Sequence, residues 1–288
     1  VYKRQINKDP KVAEEEIHKR IRLGNTLILT AQGTAFIHSG QEYGRTKHLL
    51  NPDYKTKVAD DRVPNKATLI DAVAEYPYFI HDSYDSSDAV NHFDWARATD
   101  GQANPISYQT QAYTKGLIAL RRSSDAFRKA SMADVNRDVT LITQAGQGDI
   151  QKDDLIIGYQ TIASNGDHYA IFVNADSKAR TVVLPDSYRH LLEAQVLVDA
   201  QQAGTSAIAT PKGIQFTKCG LIIDGLTAIV LKVAASTAET PSQTQQARTG
   251  QTVTPVPMAV SKASPLMTED QKPPVSYTHL RAHETRED

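Results

Sequence analysis

Cysteine is nearly absent from this sequence: Cys219 is the single one in 288 residues. An internal disulfide is therefore excluded. Because Cys219 lies in an apolar stretch, it is predicted to be a small core residue rather than a nucleophile. No run approaches the roughly 20 apolar residues that a membrane-spanning helix needs, so no membrane span is predicted. The formal net charge of −1 provides no basic field, which argues against nucleic acid as a partner.

Motifs for several cofactor chemistries are also missing. The histidines His38, His48, His81 and His92 do not have the spacing of zinc ligands, so no metal ligand is predicted. No glycine-rich phosphate-binding motif is present, which argues against nucleotide use. No cofactor is expected. Calcium is the one alternative, although the acidic stretch 82–94 lacks the spacing and central glycine of an EF-hand loop.

The two ends differ in character from the rest. Residues 1–5 (VYKRQ) and 275–288 (VSYTHLRAHETRED) resemble translated adapter sequence that recurs at the ends of fragments assembled from environmental DNA. Residues 234–274 are rich in Thr, Ser, Gln, Pro and Ala, a composition typical of a disordered linker. These segments are set apart from the fold. We expect the remainder to be an internal piece of a longer protein.

The first part of the chain has the pattern of an α/β protein. Asp9-Pro10 is a helix-start signal, and apolar residues including Ile17 and Ile21 then recur at helical spacing. Gly33 is predicted to end this helix, and residues 34–38 are predicted to form a short buried strand. A helix, a tight glycine, a short apolar strand and a polar loop form a unit of an α/β barrel or a doubly wound sheet.

A long segment, residues 44–103, separates this unit from a second helix. Segments of this length inside a compact region are usually functional. Pro105 opens the second helix, which is predicted over residues 106–123. The side chains predicted to face inward are Ala112, Leu117, Ile118 and Leu120.

After Phe127 short runs of β-forming residues alternate with turn signals. The runs are VTLIT, LIIGYQTIA, HYAIFVNA, RTVVL, AQVLVDA, GIQFT and GLTAIVLKV. Asn165-Gly166 is a strong signal for a hairpin between two of them. Regular short strands with polar turns predict an antiparallel β-sandwich over residues 129–233. This region is expected to fold without the residues that precede it.

Three stretches resemble a known family. They are EEIHKRIRLGNTLILTAQGTAFIHSGQEYGRTK, YFIHDSYDSSDAVNHFDW and YTKGLIALRRSSDAF. Their order along the chain and their amino-acid sequences resemble those of the type I pullulanases of Gram-positive bacteria, which are glycoside hydrolases of the α-amylase superfamily. The resemblance spans about residues 10–233, and Ala35 departs from it because the family usually has proline there. It implies a fold of α/β plus all-β class. Residues 6–128 would be the last helix–strand–helix part of a catalytic (β/α)8 barrel, and residues 129–233 its C-terminal antiparallel β-sandwich.

The resemblance also implies an activity. The family hydrolyses α-1,6-glucosidic linkages in pullulan, amylopectin or glycogen with retention of configuration, so an α-glucan is the expected partner. Retention needs a nucleophile and an acid about 5–5.5 Å apart. In the family the catalytic carboxylates come from earlier strands, so no catalytic residue is expected in this chain. A secreted or cell-surface location is implied, with cell-wall attachment beyond the linker.

The polar loop after the predicted strand contains the first candidate site residues. Strand ends line the active site of a barrel enzyme, so Gln41 and Glu42 are expected to support the site. Glu42 is predicted to be a buried carboxylate held by neighbouring donors rather than a reacting group. For Tyr43 and Arg45 two alternatives stay open, contact with sugar or packing and pairing within the protein.

The second group of candidates lies in residues 82–95. Sugars are bound by carboxylate and amide groups with aromatic stacking, and by resemblance Asp88 and Asn91 match the family's sugar-contacting positions. The alternative is a solvated turn anchored by Phe93 and Trp95.

Two other functions fit parts of the sequence. One is a different debranching or amylolytic member of the superfamily, against which the stretch 78–95 favours a pullulanase. The other is a non-catalytic carbohydrate-binding or cell-wall-associated module, which the sandwich and linker alone would suit. The barrel-type helix–strand step argues against that module, because such a step has no stable partner outside a barrel.

Overall fold

The computed structural model describes residues 13–46, 48–49, 78–79 and 88–235. The predicted helix start at Asp9-Pro10, both terminal stretches and nearly all of the predicted linker lie outside these ranges. The predictions made for His81 and for residues 82–87 also lie outside them.

Five α-helices lie in the described part of the chain. They are α1 (Glu14–Thr30), α2 (Asp88–Asn91), α3 (Trp95–Thr99), α4 (Pro105–Ser123) and α5 (Met132–Asp138). Three glutamates occupy the first turn of α1, where they favour the positive end of the helix dipole. At its other end, the Arg121 guanidinium donates hydrogen bonds to the carbonyls of Leu29 and Ala31 at 3.0 and 2.7 Å. A side chain of α4 therefore provides hydrogen bonds to carbonyls at the C-terminal end of α1 that have no partner within the helix.

The strands form three antiparallel sheets. A two-stranded ribbon pairs β1 (His48–Leu49) with β2 (Tyr78–Phe79). A five-stranded sheet has the order β3-β4-β5-β10-β7, and a three-stranded sheet has the order β6-β9-β8. Their strands are β3 (Val139–Leu141), β4 (Ile156–Ile162), β5 (His168–Asn174), β6 (Arg180–Val183), β7 (Gln195–Val198), β8 (Ile214–Phe216), β9 (Gly220–Ile223) and β10 (Thr227–Val233).

Each of the seven predicted β-forming runs contains a strand, and the antiparallel arrangement is confirmed. The predicted hairpin joins β4 to β5, with Ile162 opposite His168. Gly166 takes a φ of 87°, while Asn165 keeps a negative φ, so the turn has one left-handed residue instead of the two of a type I′ turn. Strand β9 was not predicted, because its four residues follow Cys219 without a turn signal of their own.

Both faces of the five-stranded sheet are covered. Side chains alternate along β5, so Ala170 and Phe172 pack towards the three-stranded sheet while Ile171 and Val173 pack towards the helices. The three-stranded sheet contributes Val182, Leu221 and Ile223, and the helical side contributes Leu23, Tyr113, Leu117, Leu120 and Phe127. The described part is thus a β-sandwich with a third layer made by α1 and α4.

The prediction of a buried strand over residues 34–38 is wrong for this structure. The segment has no strand assignment, and the Phe36 side chain is 82% exposed. A strand needs a hydrogen-bonded neighbour, and no strand among the described residues pairs with this segment. Ala35 and Ile37 nevertheless pack, partly buried, against the helix–sheet core. The structure therefore shows the helices and the sandwich but not the barrel arrangement.

The second helix has nearly the predicted bounds but a different buried face. Tyr113, Leu117 and Leu120 are buried, whereas Ile118 is 43% exposed and Ala112 is exposed. The buried residues follow the i, i+4, i+7 spacing of one helix face, and Ile118 lies about 100° around the axis from Leu117. The assignment of Ala112 and Ile118 to the inward face was therefore wrong.

Candidate functional site

The candidate site is built on a tight turn. Gln41–Tyr43 form a 3₁₀ turn between Gly40 and Gly44, whose φ angles are 93° and 78°. Both glycines are in the left-handed region that other residues rarely adopt. A Cβ on Gly44 would lie 2.6 Å from Cε1 of His18, so this glycine also lets the turn approach α1 closely. We call residues 40–45 the QEY turn.

Glu42 closes this turn from within. One oxygen of its partly buried carboxylate, Oε2, accepts the N–H of Gly40 at 2.8 Å. The Arg45 N–H donates to the Gly40 carbonyl at 2.8 Å, which draws the turn together from the other side. These contacts agree with a supporting carboxylate held by a neighbouring donor, and the role of Glu42 in a complete active site stays a prediction.

Gln41 connects the turn to the helices. Its side-chain amide donates to Oδ1 of Asn25 at 2.6 Å, and the Asn25 amide donates to Oγ1 of Thr114 at 3.0 Å. Asn25 and Thr114 are fully buried between α1 and α4. Gln41 therefore has a buried partner on α1, and that partner is in turn bonded to α4.

Tyr43 is buried in the protein. Its side chain is 1% exposed, and its hydroxyl accepts the N–H of Asp94 at 3.0 Å. Its ring meets the edge of Phe93, with ring centroids 4.9 Å apart and planes at 77°. Burial raises the pKa of the Tyr43 hydroxyl, so it stays protonated over the usual pH range. Of the two alternatives for Tyr43, these contacts favour packing and pairing.

Arg45 holds the second group of candidates. Its guanidinium donates to the carbonyl of Asn91 at 2.7 Å and to the carbonyl of His92 at 3.2 Å. These carbonyls lie at the C-terminal end of α2, where cationic side chains are favoured. Arg45 therefore attaches the QEY turn to residues 88–94, and its contact with sugar stays untested.

Asp88 and Asn91 begin and end the short helix α2. The Asp88 side chain is exposed and the Asn91 side chain is partly buried. Trp95 follows, 70% exposed, with its ring 4.5 Å from that of Phe93. An exposed carboxylate, an amide and an exposed aromatic ring thus lie within eight residues. The structure brings this stretch against Tyr43 and Arg45, which sequence spacing alone did not establish.

A buried polar layer between α1 and α4 was missed by the sequence interpretation. We call it the polar seam, and its members are His18, Arg22, Asn25 and Thr26 on α1 with Ser107, Thr110 and Thr114 on α4. The Nδ1 atom of His18 lies 2.8 Å from Oγ1 of Thr110, which also accepts a hydrogen bond from Arg22 at 3.2 Å. Positions 18, 22 and 25 have the spacing of one helix face, and this is the signal that could have revealed the seam.

A cleft of about 400 Å³ lies beside the turn. Its wall combines Ile21, Asn25 and Ile28 of α1 with Gln41 and Arg45 of the turn. Among the described residues no group of three or more histidine, cysteine or acidic side chains could hold a metal ion. Within the same ranges, none of the helices combines the length and apolar character needed to cross a membrane.

Comparison with known proteins shows which proteins this chain is similar to. Residues 138–234 match the family described as SpuA C-terminal. Pullulanase A of Streptococcus pneumoniae is 57% identical over 235 residues, which are 80% of this chain and 18% of the relative. The pullulanase of Bacillus subtilis is 31% identical over 134 residues, which are 46% of this chain and 14% of that protein.

The solved structures that resemble this chain are also pullulanases. The Group B Streptococcus pullulanase SAP has a TM-score of 0.73 and 71% identity, covering 80% of this chain and 30% of that chain. The product complex of SpuA, described as a multi-modular glycogen-degrading pneumococcal virulence factor, has a TM-score of 0.71 and 56% identity, with 80% and 24% covered. A pullulanase from Bacillus acidopullulyticus shares the fold at a TM-score of 0.55 and 16% identity.

The β-rich architecture and the relatives agree, because the matched proteins and structures described here are all pullulanases. The chain is similar to the type I pullulanases, and the part of them that it resembles is C-terminal. It spans less than a fifth of the curated Streptococcus relative, 18% of that length.

Proposed function

We propose that this chain is part of an enzyme that cleaves α-1,6-glucosidic linkages in pullulan, amylopectin or glycogen by a retaining mechanism. In this proposal residues 6–128 complete a (β/α)8 barrel as its last helix–strand–helix part. The observation that supports it best is the segment 34–38, which lies between α1 and the QEY turn. Its Phe36 side chain is 82% exposed. Backbone and side chain there would both be covered if neighbouring barrel strands paired with this segment.

The chain's own contribution would be substrate support, since the reacting carboxylates are expected on other strands. The QEY turn would fix residues 88–94 in place, and Asp88 and Asn91 would hydrogen-bond an α-glucan. The Group B Streptococcus relative, 70% identical, has been solved in complex with maltotetraose, which makes short α-glucans the natural probe. Arg45, bonded to two carbonyls of the α2 end, would hold that segment rather than bind sugar.

The proposal also covers location and cofactors. The enzyme would be secreted or at the cell surface of a Gram-positive bacterium, with residues 234–274 leading to cell-wall attachment. Carboxylate-based glycoside hydrolysis needs no cofactor, and calcium would serve structure if it is bound.

One experiment on this chain tests the proposal. Maltotetraose is titrated into the labelled chain while amide NMR signals are followed, and reducing sugar released from pullulan is measured in parallel. We expect shifts confined to residues 88–95, reduced in Asp88→Asn and kept in Asp153→Asn, an exposed aspartate outside the site. We expect no release of sugar.

Three results would overturn it, and the first is the absence of any shift when maltotetraose is added. Sugar release that Glu42→Gln abolishes would make the QEY turn the reacting group. Shifts on the sandwich alone, unchanged by Asp88→Asn, would indicate a non-catalytic carbohydrate-binding module.

A further inference from the structure

The QEY turn has only one side-chain hydrogen bond among those described that reaches into the buried space between α1 and α4. That bond runs from the Gln41 amide to Asn25 Oδ1 at 2.6 Å. The other side-chain contacts of the turn stay within it or reach residues 91–94, as for Glu42, Arg45 and Tyr43. The side-chain hydrogen bonding from the turn to the helices therefore runs through Asn25.

Asn25 is itself held rigidly. It is fully buried on α1, and its amide donates to Thr114 Oγ1 of α4 at 3.0 Å. The Thr114 hydroxyl is already directed, because it donates to the carbonyl of Thr110 at 2.8 Å. Donor and acceptor ends of the Asn25 amide are thus both used, and rotation of the amide would break two buried hydrogen bonds at once.

Packing restricts the same region. Gly44, at the end of the turn, lies against His18 and Ile21 of α1, leaving no room for a side chain. The close approach of Gly44 to α1 and the Gln41–Asn25 hydrogen bond therefore act on the same side of the turn.

We propose that Asn25 is a positioning residue for the glucan-binding stretch: it sets the QEY turn, which in turn holds residues 88–94 through Tyr43 and Arg45. The inference rests on the proposed function for its substrate, an α-glucan, but the positioning itself does not need that function. Asn25 touches no sugar in this scheme and acts through Gln41.

The first test follows the turn without any ligand. Amide hydrogen exchange of Tyr43, Gly44 and Arg45 reports on it, because these N–H groups donate to carbonyls inside the turn. We expect exchange about tenfold faster in Asn25→Ala and in Gln41→Ala, with no further increase in the double variant. Gln41→Ala removes the same hydrogen bond from the side of the turn. It therefore keeps the test valid if the buried variant Asn25→Ala does not fold.

The matched control is Gln32→Ala. Gln32 is also a side-chain amide, two residues after α1. It donates to the carbonyl of Ala126 at 2.7 Å and accepts the N–H of Lys129 at 2.9 Å, and neither partner belongs to the turn. Its loss should leave exchange in the QEY turn within about twofold of the wild type. Unchanged exchange in both Asn25→Ala and Gln41→Ala, or equal acceleration in Gln32→Ala, would overturn the positioning role.

The second test adds maltotetraose. Asn25→Ala should weaken its binding about tenfold, with the shifts still at residues 88–95. If the wild-type chain does not bind maltotetraose while Asn25→Ala still opens the turn, the proposed function fails and the positioning role stands. If the turn opens but affinity is unchanged, Asn25 positions the turn without serving glucan binding, and the proposal in its stated form is overturned.

Discussion

At the residue scale, His18 is a buried base that the fold keeps neutral. Its side chain is fully buried, with Nδ1 against Thr110 and Nε2 3.8 Å from a carboxylate oxygen of Glu14. Burial, followed by the charges of Arg22 and Arg97, lowers the pKa of His18 to about 4. The negative charge of the half-exposed Glu14 carboxylate favours the protonated form of His18, but the pKa of His18 is still lowered.

We expect acid to destabilise the protein through this residue. Between pH 6.5 and about 4 the unfolded His18 binds a proton that the folded one does not, so stability falls as the pH falls through that window. The loss is at most about 3 kcal/mol. Urea unfolding at pH 7.0, 5.5 and 4.5 measures it. His18→Gln should flatten the pH dependence, whereas His38→Gln, which changes an exposed histidine, should keep it. Equal slopes in all three proteins would refute this account.

At the element scale, the buried face of α4 decides how the helices attach to the sheet. Leu117 is fully buried in the core that includes Ile171 and Val230, while its neighbour Ile118 is 43% exposed. Leu117→Ala should lower the free energy of unfolding by about 2–5 kcal/mol, and Ile118→Ala by less than about 1 kcal/mol. Chemical denaturation of both variants measures the difference. Similar losses would mean that α4 has a different buried face.

Element predictions succeeded where local pattern decides structure. The bounds of α4 and the seven β-forming runs follow from Pro105, periodicity and turn residues, which act within a few positions. The segment 34–38 failed because a strand exists only with a neighbour, and pairing is not a local property. The polar seam was missed because apolar periodicity directs attention to Ile17 and Ile21 and away from polar positions on the same face.

At the scale of the whole molecule, the sandwich and the helices share one core. The sequence favoured a β region that folds alone. The sheet residues Ile171, Val173 and Val230 instead pack against Leu117 and Phe127, on the other side of the predicted boundary at 128/129. The boundary itself stays a prediction, but the shared core changes what we expect of its two sides.

We now expect residues 129–235 alone to be less stable than residues 13–235. Removing the helices would expose one whole face of the five-stranded sheet, and an exposed apolar face of that kind promotes association. Thermal melting, size-exclusion chromatography and binding of a hydrophobic dye to the two proteins measure this. The same melting temperature and a monomeric elution for the shorter protein would show that the sandwich is independent, as the sequence suggested.

The sequence by itself determined the local elements and the family resemblance. Helix caps, hairpin residues and alternating strands are encoded within a few neighbours, and the three quoted stretches carry the pullulanase likeness that the comparisons bear out. Only the tertiary structure decided that Asn25 reaches Gln41, that Arg45 holds the end of α2, and that the helices cover the sheet. These contacts join residues from 16 to more than 40 positions apart. Such pairs are selected by the burial of a shared surface, which no single segment specifies.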